Sequence, residues 1–107
     1  MNERVTPDGR YFVVRGRLWR RTNPSLSVEQ RDTLVRELMN ARRAVKTALK
    51  SGISGELALA RKAVDTVKVS LGERGPVWWS DGAPDLTRQK VKDSPYAEWY
   101  QKLADGE

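Results

Sequence analysis

Apolar residues recur at alternating intervals of three and four in two stretches, and this pattern restricts the fold more than any other feature. Such spacing places one narrow apolar stripe along each of two α-helices. Because only the short glycine-containing segment Lys50–Gly55 separates the stripes, the helices are predicted to fold back on each other as an antiparallel hairpin. The predicted seam consists of Leu34, Leu38, Ala41, Val45 and Ala48 on the first helix and Leu57, Ala60, Val64, Val67 and Leu71 on the second.

Local signals mark the ends of both helices. Ser27, followed three residues later by Gln30, predicts a capping box at the start of the first helix. Glycine readily adopts the left-handed backbone conformation that commonly ends a helix. Gly52 and Gly72 are therefore expected to terminate the first and the second helix.

The residues that precede the helices are typical of a β-hairpin. Arg10–Val14 and Arg17–Arg21 are rich in β-branched and aromatic side chains and flank the two-residue break Arg15-Gly16. Residues 6–9, just before them, have the Pro-Asp-Gly composition of a turn. The two-residue break sets the register, which pairs Val14 with Arg17, Val13 with Leu18, Phe12 with Trp19 and Tyr11 with Arg20.

The remaining residues form an aromatic tail that holds three of the four tryptophans. Asp85 is a candidate N-cap for a short helix that reaches Val91, and Ser94-Pro95 is a candidate start for a final helix to about residue 104. The tail is expected to lie across the helical hairpin and to cover three apolar residues outside the seam, Val35, Met39 and Leu49.

Together these elements predict a single α+β domain that is mostly helical. A β-hairpin arm occupies residues 1–24, the helical hairpin residues 25–72, and the aromatic tail with its short helices residues 73–107. A chain of this length buries enough surface for one domain.

Four strings of residues resemble a family of short bacterial proteins to which no activity is assigned. They are residues 10–24, Gly75–Trp79, Asp81–Asp85 and Pro95–Trp99, of which the Trp-Trp and Gly-Ala-Pro-Asp strings are the most specific. The resemblance covers almost the whole chain. It implies a stand-alone protein and assigns no site residues.

The chain contains neither cysteine nor histidine, and this limits its chemistry. The usual ligands of zinc and iron–sulfur sites are missing, as are the side chains of Cys–His and Ser–His nucleophile pairs. We therefore expect no metal, no cofactor and no enzymatic activity. No apolar run approaches the length of a membrane span, residues 1–7 lack an apolar leader, and the absence of cysteine favours a cytoplasmic location.

Positive charge is concentrated in the first half of the chain. Residues 1–21 contain six arginines against two acids, whereas residues 73–107 contain five basic residues against seven acids. Such a basic half favours an acidic partner such as DNA, RNA or an acidic protein. The candidate nucleic-acid-binding residues are Arg10, Arg15, Arg17, Arg20 and Arg21 in the β-hairpin, with Arg36, Arg43, Lys46 and Lys50 along the first helix.

Each candidate surface also has a purely structural interpretation. Phe12 and Trp19, interleaved with the hairpin arginines, are typical of platforms that stack single-stranded bases, or they cover the helical hairpin. The basic stripe of the first helix is either a phosphate-binding row or a solvated face. In the second case its charges are compensated by pairs such as Asp32–Arg36, Arg61–Asp65 and Asp65–Lys68.

The aromatic tail carries a third candidate surface. Trp78, Trp79 and Trp99 form either a hot spot for a protein partner or part of the core. Asp81 and Asp85 resemble paired carboxylates, but a turn and a helix N-cap also explain them. With Arg88, these two acids mark the one place where an active site is conceivable.

Two functions remain open at this point. The first is a non-enzymatic accessory protein that binds DNA or RNA through its basic face, with little sequence specificity because no DNA-reading motif is visible. The second is a protein–protein interaction module or a homodimer with no nucleic-acid role, in which the acidic tail of one copy complements the basic half of another.

Overall fold

Within residues 4–106, the part of the chain that the computed structural model describes, three short β-strands precede three α-helices. The fold is α+β and mostly helical, as predicted. Met1–Glu3 and Glu107, which the predicted domain boundaries include, lie outside the described residues. The elements are β1 (Arg4–Val5), β2 (Tyr11–Val14), β3 (Arg17–Arg20), α1 (Val28–Ser51), α2 (Ser54–Leu71) and α3 (Ala97–Gly106), with a 3₁₀ turn at Val91–Asp93.

The chain divides into two compact units. The first unit joins the residues up to Arg21 with those from Trp79 onward, and the second consists of residues Thr22–Trp78. The organisation as one domain with boundaries after residues 24 and 72 stays a prediction.

The second unit is the helical hairpin, and its predicted seam is confirmed. α1 and α2 pack against each other. All ten seam residues are buried or half-buried, and Lys68 is the one other position of these two helices that is not exposed. The seam is therefore only one stripe wide on each helix. The prediction that Val35, Met39 and Leu49 are covered is wrong, since these residues are 39%, 41% and 59% exposed.

The predicted helix ends are also confirmed. The Ser27 hydroxyl accepts from the Gln30 backbone N–H at 3.0 Å, and the Gln30 side chain accepts from the Ser27 N–H at 2.9 Å. Gly52 ends α1 with a φ of 72°. At the end of α2, the Glu73 N–H donates to Lys68 O and the Gly72 N–H to Val69 O, which is the hydrogen-bond pattern of a Schellman motif.

The first unit contains an antiparallel sheet in the order β1-β2-β3. The predicted register between β2 and β3 is confirmed at all four pairs. Arg15 and Gly16 have φ values of 53° and 77°, as the two-residue type I′ turn between these strands requires. The short strand β1, which pairs Arg4 with Val13 and Val5 with Phe12, was not predicted.

The tail returns to this sheet through a turn at residues 86–89 instead of forming the predicted helix from Asp85 to Val91. Three backbone hydrogen bonds join it to β3 and its turn: Leu18 N–H to Gln89 O, Arg88 N–H to Leu18 O, and Val91 N–H to Gly16 O. Asp85 caps a turn, since its carboxylate accepts from the Thr87 backbone N–H at 3.0 Å. The helix prediction is wrong because hydrogen bonding to the open edge of β3 satisfies these backbone groups.

Strand alternation and the returning tail together build the core of the first unit. Tyr11 and Leu18 lie on one face of the sheet and are at most 1% exposed, and Val91 of the tail joins them at 2%. Phe12 and Trp19 form a cross-strand pair on the other face and are half-buried. Val13, Trp79, Leu86, Tyr96 and Tyr100 pack around this core.

Substituting alanine at Gly72 should destabilise the protein more than at Gly52. Both positions have a left-handed φ, which costs a residue with a Cβ about 1–2 kcal/mol. A Cβ at residue 72 also falls 2.9 Å from the Asn23 Cβ and 3.0 Å from a Trp78 ring carbon, whereas nothing lies within 4 Å at residue 52. Urea unfolding of Gly72→Ala and Gly52→Ala measures the difference, and equal losses would contradict this account.

Candidate nucleic-acid interface

The β2–β3 turn carries two exposed arginines, Arg15 and Arg17. Arg15 occupies the first turn position, where a type I′ turn favours asparagine, aspartate or glycine. An arginine there holds a strained backbone conformation that its own side chain does not favour. Arg17 begins β3, and its guanidinium donates a hydrogen bond to the Arg88 carbonyl at 2.8 Å.

The returning tail adds Lys90 and Lys92 to the same place, and Arg88 lies beside β3 with its guanidinium over the Trp19 ring. Gln89 and Val91 point their backbone groups at β3 and its turn, and Lys90 forms a β-bridge with Arg17. A surface groove of about 310 Å³ lies here, lined by Arg15, Gly16, Arg17, Lys90, Val91, Lys92 and Tyr100. We refer to Arg15, Arg17, Arg88, Lys90 and Lys92 as the hairpin-tip cluster.

The hairpin-tip cluster has no acidic counterpart among the described residues. None of its five members forms an ion pair within 4 Å in residues 4–106. The Arg88 guanidinium lies 5.9 Å from the centre of the Trp19 ring, a cation–π contact that leaves its charge uncompensated. Like charges held together in this way produce a positive potential that attracts anions.

The arginines at the open end of the hairpin, by contrast, interact with carboxylates. Arg10 hydrogen-bonds Asp81, and its guanidinium lies 4.7 Å from the centre of the Trp79 ring. Arg20 is 2% exposed and forms an ion pair with Asp85 at 3.5 Å. Arg20 is therefore not accessible to a phosphate, and the Arg10 guanidinium is already engaged by Asp81 and Trp79.

Arg21, the fifth predicted hairpin contact, lies at the same open end. Its backbone N–H donates to Arg10 O at 2.9 Å, which extends the strand pairing by one residue. Its side chain is exposed and donates to Gly9 O at 3.3 Å. The structure thus places Arg15 and Arg17 in one basic groove and Arg10, Arg20 and Arg21 outside it.

Asp8 and Tyr96 connect the turn at residues 6–9 to the tail. The Tyr96 hydroxyl donates to Asp8 at 2.6 Å. Burial raises the pKa of Asp8, but hydrogen bonds from Tyr96, Thr6 and the Arg10 backbone outweigh it, so the pKa lies below the ordinary value of 3.8. Burial, and next the bond to Asp8, raises the pKa of Tyr96. The hydrogen bond from Arg10 is the main cause that lowers the pKa of Asp81.

The predicted basic stripe of α1 lies in the second unit and is exposed throughout. Arg36, Arg43, Lys46 and Lys50 all face solvent, and Arg43 hydrogen-bonds Asn40. The ion pairs Asp32–Arg36 and Arg61–Asp65, which the structural interpretation invoked, do not form within the described residues. Asp65 pairs instead with Arg74 at 3.1 Å.

The tail aromatics and acids have structural roles that the sequence partly indicates. Trp79 packs on the core, with its ring edge-on to Tyr11 at 5.6 Å, and donates a hydrogen bond to Ala83 O. Asp81 accepts from the Ala83 N–H, which confirms the turn interpretation. Because Asp81 and Asp85 bind different arginines, they do not form a paired-carboxylate site.

Lys90 and Lys92 were missed, and Arg88 was considered only as a neighbour of Asp81 and Asp85, because the tail is acidic as a whole. The signal was nevertheless present, since Arg88, Lys90 and Lys92 place three basic residues within five positions of the tail. Only the pairing with β3 shows that this segment meets the hairpin turn.

Comparison with known proteins identifies no relative, since no family model, curated protein or solved structure matches the chain. Among residues 4–106, no helix has the length and apolar character required to cross a membrane. The same described residues contain no group of three or more aspartate or glutamate side chains placed to hold a metal ion.

Replacing Tyr96 with phenylalanine should reduce stability at pH 7 by about 0.5–1 kcal/mol, because ionised Asp8 loses a hydrogen-bond donor. Since the folded pKa of Asp8 is lowered, its contribution is complete above its ordinary pKa and is lost as the pH falls through the folded value. The deficit should therefore shrink when the pH is lowered from 7 to well below the ordinary Asp value of 3.8.

Urea unfolding at both pH values measures this deficit. Tyr100→Phe is the matched control, because no hydrogen bond involves the Tyr100 hydroxyl among the described residues. An equal deficit for Tyr96→Phe at both pH values would show that Asp8 is not its cause.

Proposed function

We propose that this protein is a non-enzymatic, cytoplasmic accessory protein that binds DNA or RNA with little sequence specificity. The observation that carries the proposal is the hairpin-tip cluster: five basic side chains without an ion-pair partner within the described residues, four of which line one groove. Three of its members are arginines or lysines of an otherwise acidic tail, brought there by the backbone pairing with β3.

A phosphate backbone suits this cluster for two physical reasons. Each phosphate that a lysine or arginine neutralises releases condensed counterions, which favours binding at low salt. Guanidinium groups also hold phosphate oxygens in a bidentate geometry. Tyr100 lines the groove beside the cations, and the Arg4 guanidinium lies 5.7 Å from the centre of its ring.

Backbone strain within the cluster supports a functional role. Among the described residues other than glycine, Arg15 and Arg88 alone have a positive φ, at 53° and 75°. Each costs about 1–2 kcal/mol, which a glycine at the same position avoids. Both strained residues belong to the hairpin-tip cluster, where their charge has no role in an ion pair within the described chain.

The exposed stripe of α1 is a second basic surface of the same chemical kind. Arg36, Arg43 and Lys50 recur every seven residues, and Lys46 lies next to them on the helix. Such a row follows a phosphate backbone by charge alone. Low sequence specificity is expected because phosphate contacts carry no base information.

Removing two positive charges from the hairpin-tip groove should weaken oligonucleotide binding at least about tenfold at low salt. Arg15→Gln/Arg17→Gln and Lys90→Gln/Lys92→Gln each remove two charges from the groove. Fluorescence anisotropy with labelled single-stranded and duplex oligonucleotides, at about 50 and 200 mM salt, measures the affinity. The log–log slope of affinity against salt should become shallower by about 0.7–0.9 for each phosphate that the variant no longer neutralises.

Arg31→Gln/Lys102→Gln is the matched control, since it removes the same charge from two exposed positions outside the proposed surfaces. Equal weakening by this control would assign the effect to net charge alone. Arg15→Asn separates binding from folding, because asparagine suits the turn and should raise stability by about 0.5–1 kcal/mol while weakening binding. Absence of binding by the unsubstituted protein at low salt would refute the proposal.

A homodimer is the second candidate, favoured by apolar residues that the fold leaves exposed. Val28, Val35, Met39 and Leu49 of α1 are between 39% and 64% exposed, and the first three share one side of the helix. We refer to these four residues as the outer stripe. A second copy would cover it, with the acidic tail of one chain available to the basic half of the other.

If the outer stripe mediates dimerisation, the mass and the melting temperature should rise with protein concentration. Val35→Lys/Met39→Lys should abolish both effects, whereas Leu59→Lys should not, because Leu59 is 71% exposed on α2 and lies outside the stripe. Sedimentation velocity over a hundredfold range of concentration measures the mass. A monomer throughout that range would eliminate this candidate.

A further inference from the structure

A second basic groove lies between the helices of the hairpin, within the second unit. It has a volume of about 400 Å³ and is lined by three arginines and two valines. Arg42 and Val45 come from α1, Arg61 and Val64 from α2, and Arg74 from the turn that follows α2. None of these arginines belongs to the hairpin-tip cluster or to the α1 stripe.

The two helices supply this groove with the same short pattern. Residues 42–45 read Arg-Arg-Ala-Val and residues 61–64 read Arg-Lys-Ala-Val. In each helix the valine belongs to the seam, and the arginine three residues earlier lies on the same side. The packing of α1 on α2 therefore brings two equivalent arginines to one groove, which Val45 and Val64 also line.

Two of the three positive charges in this groove have no acidic partner among the described residues. Arg42 and Arg61 form neither an ion pair nor a side-chain hydrogen bond with any described residue. Two like charges that share a groove repel each other, so their placement opposes folding when no anion is present. A bound anion would convert that repulsion into attraction.

The third arginine is held in place by the chain. Gly72 and Gly75, with φ values of 84° and 70°, turn the backbone at the end of α2. Arg74 between them donates a hydrogen bond to Asp65, nine residues earlier on α2, at 3.1 Å. Asp65 is thus a positioning residue. Because its hydrogen bond already orders the Arg74 guanidinium, a ligand that binds there loses less affinity to the conformational entropy of that side chain.

We propose that this groove binds a phosphorylated small molecule with a non-polar or ring portion, of the nucleotide type. Arg42, Arg61 and Arg74 hold the phosphoryl oxygens, and Val45 and Val64 contact the non-polar portion. A volume of about 400 Å³ lies within the usual range for small-ligand sites. The inference does not depend on oligonucleotide binding at the hairpin tip, since the two sites share no residue.

Isothermal titration calorimetry of the full chain with ATP, inorganic pyrophosphate and adenosine tests the chemistry. ATP should bind, pyrophosphate should bind more weakly, and adenosine should give no measurable heat. Arg42→Gln/Arg61→Gln should lower the affinity for ATP at least about tenfold, because two of the three guanidinium groups that hold the phosphoryl oxygens are removed. Asp65→Asn should lower it by a smaller factor.

Two further variants show that the effect is local. Arg31→Gln/Lys102→Gln removes the same charge elsewhere and should change the affinity for ATP less than about twofold. Arg42→Lys/Arg61→Lys keeps the charge and removes the bidentate geometry, so it should also weaken binding. Circular dichroism should show unchanged helix content in the Arg42→Gln/Arg61→Gln variant, with an equal or higher melting temperature because repulsion is relieved.

Three results would overturn the proposal. The first is the absence of heat with ATP at millimolar concentration, and the second is unchanged affinity in the Arg42→Gln/Arg61→Gln variant. The third is a loss of oligonucleotide affinity in that variant without any binding of ATP, which would assign the groove to a nucleic-acid surface. Failure of oligonucleotide binding in the unsubstituted protein, with ATP binding retained, would refute the hairpin-tip proposal and leave this one standing.

Discussion

The backbone pairing between the tail and the outer edge of β3 is the interaction on which the first unit depends. A sheet of such short strands is marginal alone, and its open edge exposes unpaired N–H and C=O groups. The hydrogen bonds of residues 88–91 cover that edge. They also seat Val91 against Tyr11 and Leu18, so the same contacts satisfy the sheet and complete its core.

This pairing also determines how charge is arranged in the first unit. It brings Arg88 and Lys90 to the hairpin turn, while the acids that precede them in the tail meet Arg10 and Arg20 at the open end of the hairpin. Basic residues from two distant parts of the sequence thus share a groove. These carboxylates of the tail form ion pairs at the other end of the hairpin. A small net charge for the unit therefore conceals a strongly positive end.

The second unit follows a different principle, because its fold comes from local periodicity. A stripe one residue wide on each helix is enough to pack α1 against α2. Nearly all the positions on both sides of this seam remain exposed to solvent. On one side the flanking positions carry Arg42 and Arg61. Apolar residues outside the seam stay exposed, Met39 among them. A narrow seam thus accounts both for the arginine groove and for the outer stripe of α1.

The sequence by itself determined the elements whose signals are local: the seam of the helical hairpin, the Ser27–Gln30 capping box, the glycine ends of the helices and the β2–β3 register. Tertiary structure alone decided that Arg20 is buried, that the segment after Asp85 pairs with β3 instead of forming a helix, and that Lys90 meets Arg17. The physical reason is that periodicity and turn chemistry act between near neighbours. The partner of an open strand edge, in contrast, comes from about seventy residues away, and no local pattern specifies it.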